Sequence, residues 1–253
     1  MNIAIITGAS SGLGAEFLRA VAEKHTELDE IWLIARRQEK MEQLITELPY
    51  QHFRILPLDL SSEEAYRELK SILHSEKPNI RILINNAGYE KAGIFVEMEE
   101  PDIQKMLSVN VKGLTMVQRV CTPYMRSGSY AVLTCSVSSF TPVPHQAVYS
   151  ATKKYVYFFG KALRDELREQ GVNVLLLCPG NMDTEMNPKG QGRQSKQINR
   201  LPFLDLKKLT RKALALAESG KTVYTPGAFY KGYRFVSKVF PSAFMLHFVR
   251  KFY

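Results

Sequence analysis

The chain alternates nearly continuous apolar runs with amphipathic stretches, and this alternation restricts the fold more than any other feature of the sequence. Six apolar runs are present: Ile3–Ile6, Ile31–Ile34, Phe53–Leu58, Ile80–Ile84, Ala131–Thr134 and Val172–Leu177. Strands that are apolar on both faces are typical of a parallel sheet covered on both sides. The sequence therefore predicts six buried parallel strands.

Helical patterns lie between these runs: Leu13–Ala22, Glu39–Leu48, Ser62–His74, Asp102–Val120 and Tyr149–Gln170. Ser61 and Glu64 have the spacing of a capping box at the start of the third helix. Strands that alternate with helices of this length imply right-handed crossovers and a doubly wound α/β sheet. At 253 residues, without an internal repeat or linker, the chain fits one such domain.

A glycine-rich segment, Thr7-Gly8-Ala9-Ser10-Ser11-Gly12-Leu13-Gly14, joins the first strand to the first helix. Glycines permit a sharp turn and a close approach of the backbone to a pyrophosphate. The helix N-terminus adds free N–H groups and the positive end of the helix dipole. This context favours a dinucleotide-binding loop over an ordinary turn.

Two arginines, Arg36 and Arg37, follow the second strand, where a ribose-binding residue is expected. A carboxylate there would accept the 2′-hydroxyl of NAD, whereas a guanidinium suits a 2′-phosphate through charge and bidentate geometry. The sequence therefore favours NADP(H). Of the two, Arg36 comes first after the strand and is the preferred phosphate ligand.

Tyr149 and Lys153 stand one helical turn apart at the head of the last predicted helix. A free tyrosine, with a pKa of about 10, is a poor acid or base at neutral pH. An ammonium held nearby stabilises the phenolate, so that the pair can move a proton.

Together these segments resemble the short-chain dehydrogenase/reductase family over nearly the whole chain. The glycine loop has the family's TGxxxGxG form, and further motifs follow in order: Asp59-Leu60, Asn85-Asn86-Ala87-Gly88, Asn110, and Pro179-Gly180 with Thr184. The resemblance implies a Rossmann-type doubly wound parallel sheet that binds NADP(H). It also implies hydride transfer between nicotinamide and a carbonyl or alcohol.

The resemblance assigns a role to individual residues. The predicted catalytic residues are Asn110, Ser136, Tyr149 and Lys153, and no metal is expected. Ser136 is chosen because it precedes the tyrosine by the family's usual spacing, with Ser138 as the alternative. The predicted cofactor-binding residues are Gly8, Ser10, Ser11, Gly12, Leu13, Gly14, Arg36, Arg37, Asp59, Leu60, Asn86, Ala87, Gly88, Tyr149, Lys153, Pro179, Gly180, Met182 and Thr184.

Residues around Tyr149, including Val156 and Phe158-Phe159, resemble a subgroup that contains 17β-hydroxysteroid dehydrogenases and very-long-chain 3-oxoacyl-CoA reductases. This similarity implies a lipophilic ketone or secondary alcohol as substrate, hydroxysteroid-like or 3-oxoacyl. Two alternatives stay open: a small carbonyl reductase similar to 3-oxoacyl-acyl carrier protein reductases, and a catalytically silent NADP(H)-sensing interaction protein.

The positive charge of the chain is concentrated at its C-terminal end. Residues 189–253 carry 14 Lys and Arg against Asp205 and Glu218, whereas residues 1–188 have a net charge of −3. We predict a catalytic domain over residues 1–226, with a polar lid over about 183–204, and a basic aromatic extension over 227–253. Phe229, Tyr233, Val236 and Phe240 have helical spacing, as do Phe240, Phe244, Phe248 and Phe252 beyond Pro241.

The aromatic stripes of the extension could pack on the core or on another subunit, or contact a membrane surface. The absence of a recognised motif argues against nucleic-acid binding. The N-terminus shows no charged-then-apolar leader, and three cysteines cannot all pair. We therefore expect a cytoplasmic protein with reduced thiols, and the family resemblance implies a homo-oligomer. Peripheral membrane association through residues 227–253 is left open.

Overall fold

In the computed structural model, which describes residues 1–49, 52–189 and 201–250, seven parallel strands form one sheet in the order β3-β2-β1-β4-β5-β6-β7. The strands are β1 Asn2–Thr7, β2 Glu30–Ile34, β3 Phe53–Leu56, β4 Asn79–Asn85, β5 Tyr130–Thr134, β6 Asn173–Leu177 and β7 Val223–Tyr224. The strand order reverses between β1 and β4, and ligands bind at such a switch point in open α/β sheets.

Helices cover both faces of the sheet. They are α1 Gly12–Lys24, α2 Gln38–Thr46, α3 Glu63–Glu76, α4 Glu100–Leu107, α5 Leu114–Cys121, α6 Ala147–Arg168, α7 Leu206–Glu218, α8 Ala228–Val239 and α9 Ser242–Val249. Helices α3, α5 and α6 pack on the face that contains Ile3 and Ile5, whereas α1, α2 and α7 pack on the face that contains Ala4 and Ile6. Both faces of β1 are thus buried, which explains why its sequence does not alternate between apolar and polar residues.

The predicted doubly wound parallel fold is confirmed, and all six predicted strands are present. The third strand ends at Leu56 rather than Leu58, because Pro57 has no N–H to continue the ladder. Strand β7 and helix α7 were not predicted. All three cysteines are buried and unpaired, as expected from their apolar surroundings.

The predicted helix Asp102–Val120 is divided by a π-helical segment, Ser108–Gly113. Gly113 lies so close to the chain after β3 that a Cβ there would stand 2.5 Å from the Leu60 carbonyl oxygen. Such bulges are frequent at functional sites because they shift the side chains that they carry. Here the segment places Asn110 inside the protein, fully buried.

The predicted capping box between Ser61 and Glu64 is wrong. The N-cap of α3 is Ser62, whose hydroxyl donates to Glu64 Oε2 at 2.5 Å. The hydroxyl and backbone N–H of Ser61 both donate to Asp59 Oδ1 instead, at 2.8 and 3.0 Å. Ser61, which the spacing assigned to the helix N-terminus, is therefore hydrogen-bonded to the Asp59 carboxylate instead.

Residues 227–250 form the helices α8 and α9, which break at Pro241 as predicted, and the two aromatic stripes are only partly buried. Tyr230 is the buried residue of α8, and Met245 and Val249 are those of α9. The predicted phenylalanines that fall on described residues are largely exposed: Phe229, Phe240, Phe244 and Phe248. Phe252 lies outside the described residues. Among the helices described, none has both the length and the apolar character needed to cross a membrane.

Candidate active site

A cavity of about 310 Å³ opens at the carboxyl ends of the strands, at the switch point between β1 and β4. Nearly all the predicted site residues line it. These are Gly8, Ser10, Ser11, Gly12, Leu13, Arg36, Arg37, Asp59, Leu60, Asn86, Ala87, Gly88, Ser136, Tyr149, Lys153, Pro179, Gly180, Met182 and Thr184. Gly14 and Asn110 do not line the cavity, but each contacts residues that do.

The glycine loop forms a tight cradle at one end of the cavity. Gly8 and Gly12 have φ angles of +67° and +53°, which disfavour any residue with a Cβ. A Cβ on Gly14 would lie 2.0 Å from the Gly8 carbonyl oxygen. The loop therefore brings backbone N–H groups and the start of α1 to the cavity surface, which fits the pyrophosphate of a dinucleotide.

The two arginines after β2 have different surroundings. Arg37 Nη2 donates to the hydroxyl oxygens of Ser11 and Ser10, at 2.8 and 3.2 Å. Arg36 also lines the cavity but lies on the side of Asp59, with Nη1 4.0 Å from Oδ2. The geometry thus favours Arg37, rather than the preferred Arg36, as the guanidinium next to the glycine loop.

Tyr149 and Lys153 lie in the first two turns of α6, at the opposite end of the cavity. The Lys153 Nζ atom stands 5.7 Å from the centre of the Tyr149 ring and donates to the Thr134 carbonyl oxygen at 3.0 Å. The side chain of Lys153 is buried, and burial lowers the pKa of its ammonium. A desolvated cation beside a phenol is an arrangement suited to proton transfer.

The serines after β5 differ in what their hydroxyls contact. The Ser136 Oγ atom accepts from the Ser138 backbone N–H at 3.2 Å and lies 3.3 Å from the Ser138 hydroxyl, and both residues line the cavity. Ser139 is buried, and its hydroxyl donates to the Ser136 carbonyl oxygen at 2.6 Å. Ser139 therefore supports the loop, while Ser136 and Ser138 face the site.

Asn110 supports the site from the π-helical segment. Its side chain makes a reciprocal pair with Tyr89, in which Oδ1 accepts from the backbone N–H and Nδ2 donates to the carbonyl oxygen, both at 2.8 Å. Nδ2 also lies 3.2 Å from Thr152 Oγ1 on α6. Asn110 thereby ties the segment after β4 to the helix that carries Tyr149 and Lys153.

A carboxylate that the sequence did not single out shares the cavity with these residues. Glu90 accepts from Gln146 Nε2 at 2.5 Å, and the Ser138 hydroxyl lies 3.5 Å from Gln146 Oε1. Burial raises the pKa of Glu90 to about 7, an effect opposed by the Lys153 ammonium and the Gln146 amide. The proximity of Glu90 to the site depends on the path of the loop after β4 and has no signature in the sequence. His145, which directly precedes Gln146, is exposed and does not line the cavity.

We expect Glu90 to add an ionisation near pH 7 to the pH profile of carbonyl reduction. Its pKa is raised, so it is neutral below about pH 7 and anionic above. An anion in this cavity opposes the negative charge that gathers on a substrate oxygen, and kcat/KM should fall by roughly 2- to 10-fold across this pH range. In Glu90→Gln the inflection should disappear, whereas an unchanged profile would contradict the assignment.

Helix α8 closes the cavity on the side of the Pro179-Gly180 turn. The Tyr230 ring packs directly on Gly180, in the space that a larger residue there would fill. A Cβ on Gly180 would lie 2.1 Å from the ring. The Tyr230 hydroxyl accepts from the Asn181 N–H at 3.1 Å and donates to the Pro202 carbonyl oxygen at 2.7 Å. The C-terminal helices are therefore part of the site.

A second, smaller cavity of about 70 Å³ lies between the active site and the C-terminal helices. It shares Val137, Ser138, Leu201 and Tyr230 with the main cavity. Its other lining residues are Val143, Phe229, Tyr233, Phe248 and Val249. The space beyond Ser138 is thus mainly apolar and aromatic.

Within the described part of the chain, no group of three or more His, Cys, Asp or Glu side chains is arranged to hold a metal ion. The polar groups around Tyr149 are serine hydroxyls, the phenol itself, the Lys153 ammonium and the Glu90 carboxylate, and the glycine cradle lies at the other end of the cavity. This set of groups suits proton transfer and binding of a dinucleotide.

Comparison with known proteins agrees with this geometry. The short chain dehydrogenase family model matches residues 2–194. A very-long-chain 3-oxoacyl-CoA reductase from Bos taurus is 31% identical over 193 residues, which cover 72% of this chain and 60% of that protein. An uncharacterised oxidoreductase from Staphylococcus aureus strain USA300 is 28% identical over 185 residues, 72% of this chain and 79% of its own length.

Two solved structures are also similar. A short-chain dehydrogenase from Sphingobium yanoikuyae in complex with NADPH has a TM-score of 0.78 and 28% identity, covering 90% of this chain and 88% of that one. A bulky-bulky ketone specific alcohol dehydrogenase from Comamonas testosteroni has a TM-score of 0.76 and 26% identity, covering 94% and 92%. Since the family model spans the glycine loop, the Tyr149–Lys153 pair and the Pro179-Gly180 turn, the chain belongs to the short chain dehydrogenase family and is an oxidoreductase.

Proposed function

We propose that the protein is an NADP(H)-dependent oxidoreductase that interconverts a lipophilic ketone and a secondary alcohol. The observation that carries the proposal is the convergence of Ser136, Tyr149 and Lys153 on the cavity that begins at the glycine cradle. The similarity to the Sphingobium yanoikuyae dehydrogenase, which was solved with NADPH, supports the choice of cofactor.

The residues of the cavity fit a phosphorylated dinucleotide. The cradle of Gly8, Gly12 and Gly14 would hold the pyrophosphate, and Arg37 with Ser10 would hold the 2′-phosphate. Asn86 to Gly88, Pro179 to Met182 and Thr184 line further parts of the cavity. We assign the 2′-phosphate to Arg37, with Arg36 at the rim beside Asp59.

Bound NADPH supplies the hydride that reduces the carbonyl carbon. Tyr149 donates its phenolic proton to the carbonyl oxygen, and Lys153 stabilises the phenolate left behind. Ser136 donates a hydrogen bond to the same oxygen and stabilises the alkoxide that forms there. Asn110 holds the backbone of Tyr89 beside the site, where a water could return a proton to the Tyr149 phenolate by way of Lys153. In the reverse direction Tyr149 as a phenolate takes the proton of a secondary alcohol, and the hydride would pass to bound NADP⁺.

The cavity next to the C-terminal helices supports a lipophilic substrate. Its apolar and aromatic lining suits an apolar group next to the reacting carbonyl, as in a bulky ketone, and offers few polar groups to a small aldehyde. Similarity to a very-long-chain 3-oxoacyl-CoA reductase and to an alcohol dehydrogenase specific for bulky ketones points the same way.

The proposal is tested by following NADPH oxidation with a panel of ketosteroids, 3-oxoacyl thioesters, bulky ketones and small aldehydes. We expect kcat/KM for the best bulky ketone to exceed that for small aldehydes by about 10-fold or more, because each buried methylene adds to transition-state binding. A preference for small carbonyls would favour the small carbonyl reductase. NADPH binding without any turnover would favour the NADP(H) sensor.

We also propose that the outer face of α8 and α9 contacts a membrane surface, from which a lipophilic substrate could be delivered. Phe235, Val239 and Phe244 are 69%, 61% and 54% exposed, and Lys231 and Lys238 lie on the same exposed helix. Aromatic side chains next to cations suit the interface of an anionic bilayer.

Replacing Phe235 and Phe244 by Ser should reduce co-sedimentation with phosphatidylserine vesicles by about 10-fold or more, because the variant lacks two aromatic rings that would insert into the bilayer. Val96→Ser, at an exposed apolar position remote from α8 in sequence, is the control and should sediment like the wild type. Wild-type protein that does not sediment would contradict the membrane proposal.

Homo-oligomerisation is proposed from a second exposed apolar surface. Tyr155 and Phe158 on α6 and Leu107 at the end of α4 are between 40% and 62% exposed. A face of this kind is typical of a subunit interface. Light scattering over a range of protein concentrations measures the assembly state, and a monomer at all concentrations would contradict the proposal.

A further inference from the structure

The guanidinium expected to hold the 2′-phosphate is already paired with a carboxylate of this chain, which also accepts from a neighbouring lysine. Glu185 Oε2 lies 2.8 Å from Arg37 Nη1, and Glu185 Oε1 accepts from the Lys40 ammonium. The hydrogen bond from Lys40, and after it that from Arg37, lower the pKa of Glu185 to about 2. Glu185 is therefore an anion at neutral pH.

The position of Glu185 follows from the residue before it. Thr184 packs against the glycine loop, where a Cβ on Gly12 would lie 3.2 Å from the Thr184 side chain. A turn between Thr184 and Asn187, in which the Asn187 N–H donates to the Thr184 carbonyl oxygen at 3.0 Å, fixes the backbone between them. The segment after Pro179-Gly180 thus brings a carboxylate to the 2′-phosphate end of the cavity.

The same guanidinium serves both the loop and the carboxylate. Arg37 Nη2 donates to Ser10 and Ser11, while Nη1 faces Glu185. A phosphate monoester carries up to about two negative charges and three acceptor oxygens, so it needs the donors that Glu185 uses. Two anions sharing one guanidinium repel each other, and each weakens the binding of the other.

We propose that Glu185 is a cofactor-specificity residue, which occupies the anion position on Arg37 and Lys40 and competes there with the 2′-phosphate of NADP(H). This inference rests on the proposed use of NADP(H). NAD(H) has a hydroxyl in place of the phosphate, so it leaves the contact between Glu185 and Arg37 in place. Glu185 therefore weakens the binding of NADPH more than that of NADH. It thereby reduces the preference of the protein for NADPH over NADH.

Glu185→Gln tests the competition, because it removes the charge and keeps the size of the side chain. Dissociation constants for NADPH and NADH are measured by fluorescence of the bound nicotinamide, and those for 2′,5′-ADP and 5′-AMP by calorimetry. We expect the Kd of NADPH and 2′,5′-ADP to fall by about two- to five-fold, as for one exposed ion pair. The Kd of NADH and 5′-AMP should change by less, and added salt should reduce the difference.

Glu63→Gln is the matched control. Glu63 is likewise shared by two cations, Arg67 and Lys112, and does not line the cavity. This variant should bind all four ligands like the wild type. Glu185→Ala provides a second charge-free variant if the glutamine substitution lowers the melting temperature.

Three outcomes would overturn the inference. Weaker NADPH binding in Glu185→Gln would show that Glu185 orients Arg37 for the phosphate. An equal change for NADPH and NADH would show a general effect of charge, and no change would show that the two anions do not compete. Failure of the proposed cofactor use is distinguishable, because it appears in the wild type as binding of NADH or 5′-AMP without binding of NADPH or 2′,5′-ADP.

Discussion

Tyr149→Phe is expected to lower kcat for carbonyl reduction by about a thousandfold, within the range attributed to general acid catalysis. The substitution removes the phenolic proton donor and leaves the ring, which lies 5.7 Å from Lys153 Nζ. Ser136 still hydrogen-bonds to the substrate oxygen, and the glycine cradle is unchanged. Hydride transfer must then form an alkoxide without a proton from the enzyme. Cofactor binding should stay within about twofold of the wild type, since one lost hydrogen bond contributes little.

Single-turnover reduction and NADPH titration separate the two effects. Tyr155→Phe is the matched control, because Tyr155 lies on the same helix and its hydroxyl contacts Thr115 Oγ1 at 2.9 Å, outside the cavity. The control should retain kcat within about twofold, because exposed polar contacts have small effects. If Tyr149→Phe kept most of the activity, another group would be the acid, with Ser136 and Glu90 as the candidates in the cavity.

Gly14→Ala is expected to weaken cofactor binding by about 10-fold or more and to lower the free energy of unfolding by about 1–3 kcal/mol. The added methyl group would stand 2.0 Å from the Gly8 carbonyl oxygen and 2.9 Å from Asn86 Nδ2. Neither neighbour can yield easily. Gly8 holds its turn at a positive φ angle, and Asn86 Nδ2 donates to the Thr7 carbonyl oxygen at 3.2 Å. The loop must therefore move away from the shape that holds a pyrophosphate.

Gly232→Ala is the control for a change from Gly to Ala within a helix. A Cβ at Gly232 meets nothing within 4 Å, and this position lies in the middle of α8. The free energy of unfolding should rise by up to about 1 kcal/mol from helix propensity alone. Urea denaturation and cofactor titration measure both variants. Wild-type binding and stability in Gly14→Ala would show that the cradle tolerates a shift of the loop.

The sheet could be predicted because each strand is buried on both faces and therefore appears as a continuous apolar run. Strand β7 could not be predicted in this way, because Val223–Tyr224 has only two residues and both are partly exposed. The π-helical segment was also missed. It arises because Gly113 approaches the Leu60 carbonyl, a contact between segments about fifty residues apart that no local pattern records.

The site could be predicted where a residue belongs to a motif. The glycine loop, Asn86 to Gly88, Ser136, Tyr149 and Lys153 all line the cavity. Glu90, Gln146, Glu185 and Tyr230 line it as well, yet they were not predicted. Their places depend on loop geometry and on the docking of α8, which periodicity cannot reveal. The choice between Arg36 and Arg37 depended in the same way on the direction of the chain after β2.

The contact between Tyr230 and Gly180 joins two parts of the chain that can evolve separately. The family model ends at residue 194, whereas Tyr230 and the aromatic wall of the smaller cavity lie beyond it. On the proposed function, the chemistry and the choice of substrate therefore depend on successive stretches of the chain that meet only in three dimensions. The second stretch can diverge while the first is kept, so relatives can retain one reaction and yet differ in the molecules on which they perform it.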